Sequence, residues 1–344
     1  MKKLGIGIIG LGRIFQRHYN DSIKQLPEVE LVAVCDNKKA IAEKIGKREK
    51  VQFYKDYRQL IADPKVDVVA IATPNGYHNE MGMAVAKAGK HCIMEKPISQ
   101  NYPEAKKLVQ AFNKSRGKLF PVLQVRYNPA VQTLRSAIKS GLLGKILTAS
   151  VIIRWTRPQE YFDESDWKGT LKMDGGTLLT QAIHYIDIMQ YILGEGKSVY
   201  AKLDRGAHKI EAEDIVNAII DLKSGTRVGL EFTVCTYPHN LECSLTVLGK
   251  KGTVKIGGTA MNKCELWEVK DTPMPYIPEG LTPNVYADGM YVGSCPNHKS
   301  IYENMINVLI YKKPSFLEAE DALESLRIID GIKKSSNEKK EIIL

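Results

Sequence analysis

The sequence is short of the features that mark several common protein classes. Its six cysteines (Cys35, Cys92, Cys235, Cys243, Cys264 and Cys295) are scattered, with no Cys-x-x-Cys pair. Most sit in apolar strand-like runs, so they read as buried thiols, and no metal is expected. No apolar run approaches the ~18 residues of a membrane span, and no secretory leader pattern stands ahead of the first strand. The expectation is a cytoplasmic protein without a membrane partner. The net charge is +10, but the lysines are dispersed and no nucleic-acid-binding motif accompanies them. Part of the excess lies in Lys333, Lys334, Lys339 and Lys340, which read as a solvated tail. An anionic small substrate suits the charge at least as well as nucleic acid does.

What the chain does have is concentrated in its first 36 residues. Lys2 to Ile9 is a short apolar run broken only by Gly5 and Gly7. The pattern Gly7-x-x-Gly10-x-Gly12 follows, then helical spacing from Arg13 to Gln25, then a second strand, Glu28 to Cys35, ending on Asp36. This is a βαβ unit with an acidic residue after the second strand, the arrangement of a dinucleotide-binding crevice. Glycine lets the backbone turn tightly and approach a pyrophosphate, and the unpaired N–H groups of the next helix favour its charge. Asp36 would take the ribose hydroxyls and repel a 2′-phosphate, which favours NAD(H) over NADP(H). Lys38 and Lys39 leave room for the phosphorylated form.

The alternation continues through a helix at Tyr57 to Ala62, a strand at Val66 to Ala72 and a helix from His78 to Ala88. A strand ends at Met94, a helix covers Tyr102 to Ser115, and a last strand runs from Leu119 to Val125. The strands are near-continuous apolar runs, as buried parallel strands should be, and their ends deliver Asp36, Thr73 and Lys96 to one edge. From Arg126-Tyr127-Asn128-Pro129 the texture changes. Strand-like runs joined by short turns recur at Ile146–Trp155, Ser198–Leu203, Asp214–Leu222, Arg227–Thr236, Leu241–Leu248 and Gly252–Ile256, which predicts a largely antiparallel sheet. The class is therefore α/β: a dinucleotide-binding Rossmann domain over 1–126, a second α/β domain over 127–331 for substrate and oligomer contacts, and a basic tail over 332–344. Gly176 to Ile192 reads as a long amphipathic helix carrying His184, and helices at Tyr302 to Ile310 and Glu318 to Lys333 close the chain. Pro273 to Asn297 reads as a loop or lid that includes Asn284 and Tyr286.

Lys96 stands at a strand's C-terminal end, where open α/β sheets hold ligands; a surface lysine beside Glu95 is the plainer alternative. His184 follows Gly175-Gly176 and is flanked by Ile183, Ile186, Ile188 and Met189, so a core histidine fits the pattern as well as a catalytic one. Val68–Ala72 with Thr73-Pro74-Asn75, Glu95-Lys96-Pro97, and Gly175-Gly176 followed by His184-x-x-Asp187 together resemble the glucose–fructose oxidoreductase / inositol 2-dehydrogenase / MocA (Gfo/Idh/MocA) family, from Lys2 to about Gly331. The resemblance implies a Rossmann domain followed by an α/β domain with an open, mostly antiparallel sheet, and hydride transfer between nicotinamide and a sugar or cyclitol carbon. It makes Lys96 and His184 the catalytic pair. The cofactor contacts would come from Gly7, Gly10, Gly12, Arg13, Ile14, Asp36, Thr73, Asn75, His78, Glu95, Lys96 and Arg126.

One departure carries information. Many members have an aspartate four residues before the histidine, where this chain has Thr180. An uncharged residue there is similar to the nucleotide-sugar branch that oxidises C3 of UDP-N-acetylglucosaminuronic acid in making surface-polysaccharide amino sugars. Arg126-Tyr127-Asn128-Pro129, Trp167-Lys168-Gly169 and Gln181-Ala182-Ile183-His184 resemble the same branch. Substrate contacts would then fall to Lys96, Arg154, Arg157, Trp167, Lys168, Thr180, Gln181, His184 and Tyr286, with Tyr161 and Tyr237 as further aromatic candidates. The branch also implies a homo-oligomer, dimer or tetramer, and 2-oxoglutarate as an oxidant that recycles the cofactor. Another sugar, cyclitol or UDP-N-acetylglucosamine dehydrogenase, a ketosugar reductase, or a non-catalytic NAD(H)-binding regulator are the competing readings.

Overall fold

A computed structural model describes residues 3–286 and 291–344. Lys2, where the first strand was expected to begin, and 287–290 of the expected lid lie outside the described residues. The chain separates into two units, Met1–Val122 with His298–Leu323, and Leu123–Asn297 with Glu324–Leu344.

The first unit runs β1 (Leu4–Ile9), α1 (Phe15–Tyr19), β2 (Val29–Cys35), α2 (Lys39–Glu49), β3 (Gln52–Tyr54), α3 (Tyr57–Ala62), β4 (Val68–Ile71), α4 (His78–Lys87), β5 (His91–Met94), α5 (Tyr102–Asn113) and β6 (Leu119–Pro121). Its sheet has the order β3-β2-β1-β4-β5-β6 and every pairing is parallel. The order reverses between β1 and β4, which opens a crevice beyond their C-terminal ends. β4 occupies the middle of the run expected at Val66–Ala72, and all four of its residues are buried. The helix expected over Arg13–Gln25 is interrupted. The Ser22 hydroxyl donates to the Arg17 carbonyl at 2.9 Å, so a side chain takes an acceptor that a continuing helix would have used. Only a single 3₁₀ turn, Ile23–Gln25, follows.

The second unit begins with α6 (Pro129–Lys139), β7 (Ile146–Arg154), α7 (Gln159–Asp163) and a π turn at Leu178–Ala182 that leads into α8 (Ile183–Leu193). Then come β8 (Gly196–Asp204), β9 (Ile215–Leu222), β10 (Arg227–Thr233), β11 (Glu242–Gly249), β12 (Gly252–Gly257), β13 (Lys263–Val269) and a two-residue hairpin pair, β14 (Val285–Tyr286) with β15 (Tyr291–Val292). The sheet order is β13-β12-β11-β7-β10-β9-β8-β16, where β16 is Ile342–Ile343. All its pairings are antiparallel except β7 with β10. Helix α8 is not amphipathic: nine of its eleven residues are buried. An apolar helix with no solvent face is a core helix.

Two helices finish the chain, α9 (His298–Leu309) and α10 (Asp321–Glu338). Residues 298–323 belong to the first unit rather than the second. The segment read as a solvated tail is the end of α10 followed by β16, which pairs with β8 through Ile342 and Ile343.

Helix α9 completes a buried polar cluster in the first unit. Glu95, which follows β5, accepts a hydrogen bond at 2.9 Å from His298 Nε2, and His18 Nε2 of α1 lies 3.3 Å from the same oxygen. The Tyr302 hydroxyl is 3.0 Å from His18 Nδ1. All four side chains are under 10% exposed. Burial alone would raise the Glu95 carboxyl, but His18 and His298 outweigh it and hold it well below the usual 4.5. Burial pushes His18 below 6.5 against the pull of Glu95. At both groups the unfolded chain binds more protons as the solution is acidified, so stability falls with pH, first below about 6.5 and again below about 4.5. Glu95→Gln should cost about 3 kcal/mol or more at neutral pH by leaving two buried imidazoles without their carboxylate, and should flatten the lower limb of the pH profile. Urea denaturation midpoints from pH 4 to 8 measure this; a variant as stable as the parent at neutral pH would contradict the role given to Glu95.

Candidate functional site

In the first unit the glycines divide by what constrains them. Gly10 has φ of +91°, and a Cβ there would lie 2.5 Å from the Ala72 carbonyl oxygen. A Cβ on Gly12 would meet nothing within 4 Å. The space beside Gly12 is therefore left for something other than protein, as a pyrophosphate approach requires. Gly7 corrects the sequence reading. It lies inside β1, where a Cβ would press on Leu60 and Val66, so packing of α3 against the sheet fixes it rather than a cofactor. Arg13 is exposed and Ile14 half-buried at the same turn.

Asp36 is tied to that turn. Its Oδ2 accepts the Leu11 N–H at 3.0 Å and its Oδ1 accepts the Lys38 N–H at 2.9 Å. The carboxylate is thereby held half-exposed with lone pairs to spare for ribose hydroxyls. Thr73 and Lys96 are half-buried beyond β4 and β5, and Asn75 is nearly enclosed beside them. These groups share the C-terminal edge of one sheet and fit a dinucleotide. The side chains of His78 and Glu95 are engaged inside the protein instead. His78 is fully buried, with Nδ1 2.7 Å from the Pro97 carbonyl and Nε2 2.9 Å from the Thr73 carbonyl. It braces the two loops that carry Thr73 and Lys96, and Glu95 is held in the cluster around His18.

In the second unit the chemistry gathers around the π turn. Gly176 enters it at φ +107°, where a Cβ would lie 2.7 Å from the Glu213 carboxylate; that carboxylate accepts the Leu178 N–H at 2.8 Å. A π turn wraps an extra residue and re-aims the side chains on it. From Asp174 to Met189 only Thr180 is not buried. The Thr180 hydroxyl donates to Asp174, whose other oxygen accepts the Gly169 N–H at 2.9 Å. The charge missing at position 180 is thus present one hydrogen bond behind it, in a residue that the sequence reading passed over.

His184 is 4% exposed, and its Nε2 faces the Gln124 amide nitrogen at 3.4 Å; that amide also donates to Ser294 at 3.1 Å. A donor facing Nε2 favours a neutral ring whose Nε2 is the acceptor. Gln124 was also missed, because it falls in a run read as strand. Gln181 accepts from Arg157 Nη2 at 3.0 Å and donates to the Tyr161 hydroxyl at 2.9 Å.

The remaining cations separate sharply. Arg126 grips Asp187 through Nε at 2.8 Å and Nη2 at 2.7 Å, both residues being 1% exposed. This internal pair braces α8 and does not present a charge to a cofactor. Arg154 alternates onto the open face of the sheet and forks onto Glu231 at 2.6 and 2.8 Å, so it is a sheet-surface pair, not a ligand contact. Lys168 pairs with Glu164 at 2.6 Å and lies over the Tyr161 ring. Trp167 is half-buried in the preceding loop. Tyr286 stacks on Tyr291, with ring centroids 5.4 Å apart, and Tyr237 is 92% exposed, away from these contacts.

Both units are similar to known proteins. Residues 4–122 match the model of the oxidoreductase family with an NAD-binding Rossmann fold, and residues 135–344 match its C-terminal α/β domain. The WlbA dehydrogenase of Bordetella pertussis, solved with NADH and UDP-GlcNAcA, is 32% identical with a TM-score of 0.89, covering 100% of this chain and 99% of that one. The WlbA dehydrogenase of Chromobacterium violaceum, in complex with the same two ligands, is 30% identical with a TM-score of 0.90, covering 100% of this chain and 96% of that one. Myo-inositol 2-dehydrogenase of Thermotoga maritima is 29% identical over 258 residues, 72% of this chain and 74% of that protein. Among the described residues no helix is long and apolar enough to cross a membrane. With a glycine turn open at Gly12, a tethered acid at Asp36 and family models spanning both units, the chain belongs to the Gfo/Idh/MocA family of NAD-dependent oxidoreductases.

Proposed function

We propose that the chain oxidises C3 of the sugar in UDP-N-acetylglucosaminuronic acid, with Lys96 and His184 as its catalytic residues. The observation that carries the chemistry is the polar set of Thr180, Gln181 and His184 on a turn and helix that are largely apolar and buried, with His184 Nε2 facing a donor. Polar side chains buried at such density cost stability unless they meet a ligand or each other. The substrate class rests on the two WlbA dehydrogenases, which match this chain over its whole length.

Bound NAD supplies the hydride acceptor. His184, as a neutral imidazole, takes the hydroxyl proton as the carbon is oxidised. The Lys96 ammonium stabilises the oxygen while it carries negative charge. Asp36 holds the ribose, and the turn at Gly10 and Gly12 takes the pyrophosphate. The protein is proposed to work in the cytoplasm as a homo-oligomer joined through the open face of its large sheet, where Tyr200, Ile219 and Leu266 are exposed. We further propose 2-oxoglutarate as the oxidant that recycles NADH.

The purified protein should reduce NAD on addition of UDP-N-acetylglucosaminuronic acid and yield a sugar lighter by two hydrogens. Lys96→Met and His184→Asn should each lower kcat by roughly 10²-fold or more while still binding NADH. Turnover of myo-inositol, with no turnover of any UDP-sugar, would move the chain to the cyclitol branch. Asp36→Ser should weaken NAD binding by roughly tenfold or more and narrow the preference over NADP. Unchanged NAD affinity in a titration would show that Asp36 only shapes the turn.

A further inference from the structure

Arg157 is the exception among the cations of the second unit named above. Arg126, Arg154 and Lys168 each have a carboxylate within 2.8 Å. Arg157 is 3% exposed, yet among the described residues no carboxylate oxygen lies within 4.0 Å of it. Its partners are neutral. Nη1 donates to the Thr156 carbonyl at 2.6 Å, and Nη2 donates to Gln181 Oε1 at 3.0 Å and, less closely, to the Val292 carbonyl at 3.3 Å. Nε has no partner among the described residues. The rings of Trp155 and Tyr291 lie 4.7 Å from the guanidinium carbon, and that of Tyr161 lies 5.5 Å away.

A dehydrated cation held only by carbonyls and ring faces is expensive, and burial pushes its pKa below the ordinary guanidinium range. The missing element is a buried anion. In this chain Arg126 and Arg154 both take their carboxylates through the fork of Nε and Nη2. In Arg157 those same two nitrogens carry only neutral oxygens or none. Gln181, bonded to Nη2, lies three residues before His184, which puts the fork near the sugar being oxidised and not at a distant part of the ligand. A diphosphate carries two charges and a large hydration shell and suits exposed donors. One enclosed fork suits one planar, singly charged group.

We infer that Arg157 binds the sugar carboxylate of the substrate through Nε and Nη2, and so sets the preference for a uronic acid over the neutral sugar. This rests on the nucleotide-uronate reading above and names the group that reads the acid. The carboxylate displaces the long Val292 contact and takes up the unpartnered Nε, while Gln181 and the aromatic rings keep the plane of the fork fixed.

The test compares UDP-N-acetylglucosaminuronic acid with UDP-N-acetylglucosamine, which has the same diphosphate and no carboxylate, in the NAD-loaded enzyme. The wild type should favour the acid by roughly 10²-fold in kcat/KM. Arg157→Gln should lose at least tenfold more for the acid than for the neutral sugar, mainly in KM. Arg157→Lys should recover part of that difference. Retained NADH binding and thermal midpoint show that a variant is folded. Should the variants not fold, the wild-type comparison decides alone, and equal kcat/KM for the two sugars overturns the inference. Equal losses for both sugars in a folded Arg157→Gln also overturn it, pointing to the diphosphate or to packing, and leave the nucleotide-uronate reading standing. A wild type that turns over neither sugar overturns both.

Discussion

One buried carboxylate holds the first unit in working order. Glu95 receives a hydrogen bond from α9 and is approached by a histidine of α1, and it is the residue immediately before Lys96. Three segments far apart in the chain therefore meet at the end of β5. His78 does the corresponding work on the other side, joining the Thr73 and Pro97 carbonyls. The loops that carry Thr73 and Lys96 are held by buried side chains, so the groups proposed to meet ligands are fixed by a shell behind them. Such shells matter because a displacement of an ångström in a reacting group is costly to catalysis.

The second unit applies the same logic with an ion pair. Arg126 and Asp187 fix α8 from one side, and Glu213 caps the turn ahead of it. The apolar surroundings of His184 made a core histidine as good a reading of the sequence as a catalytic one. In the structure the helix is a core helix, and His184 lies on it among buried apolar neighbours while its Nε2 faces an amide donor.

Much of the fold could be read from the chain because parallel buried strands announce themselves. β1, β2, β4 and β5 are apolar runs ending in glycine or polar residues, and the short turns between β9 and β10 and between β11 and β12 are written in Ser-Gly and Gly-Lys-Lys-Gly. What escaped was thin or contextual. α2 buries only Ala42, Ile45 and Gly46, too narrow a stripe to stand out among its charges, and β3 has three residues. β13 lies at the sheet edge, and none of its residues is buried, so its apolar signal is weak. The roles of cations were the least legible. Arg126, Arg154 and Arg157 look alike in sequence, and only the positions of Asp187, Glu231 and the tyrosines distinguish them. The same holds for Asp174, whose bond to Thr180 depends on the loop between them folding back.

Helix α9 belongs to the first unit but is encoded after the whole of the second unit's sheet except β16. A ribosome that has released 122 residues has made every strand of the parallel sheet, yet the emerging Glu95 still lacks His298. Its buried charge waits, half-served, until α9 emerges behind strands β7 to β15 of the second unit. The dinucleotide-binding unit is thus not a module that could be cut out at its last strand and carried to another protein. It is closed by a helix made only after strands β7 to β15, and its completion reports that most of the second unit has been made.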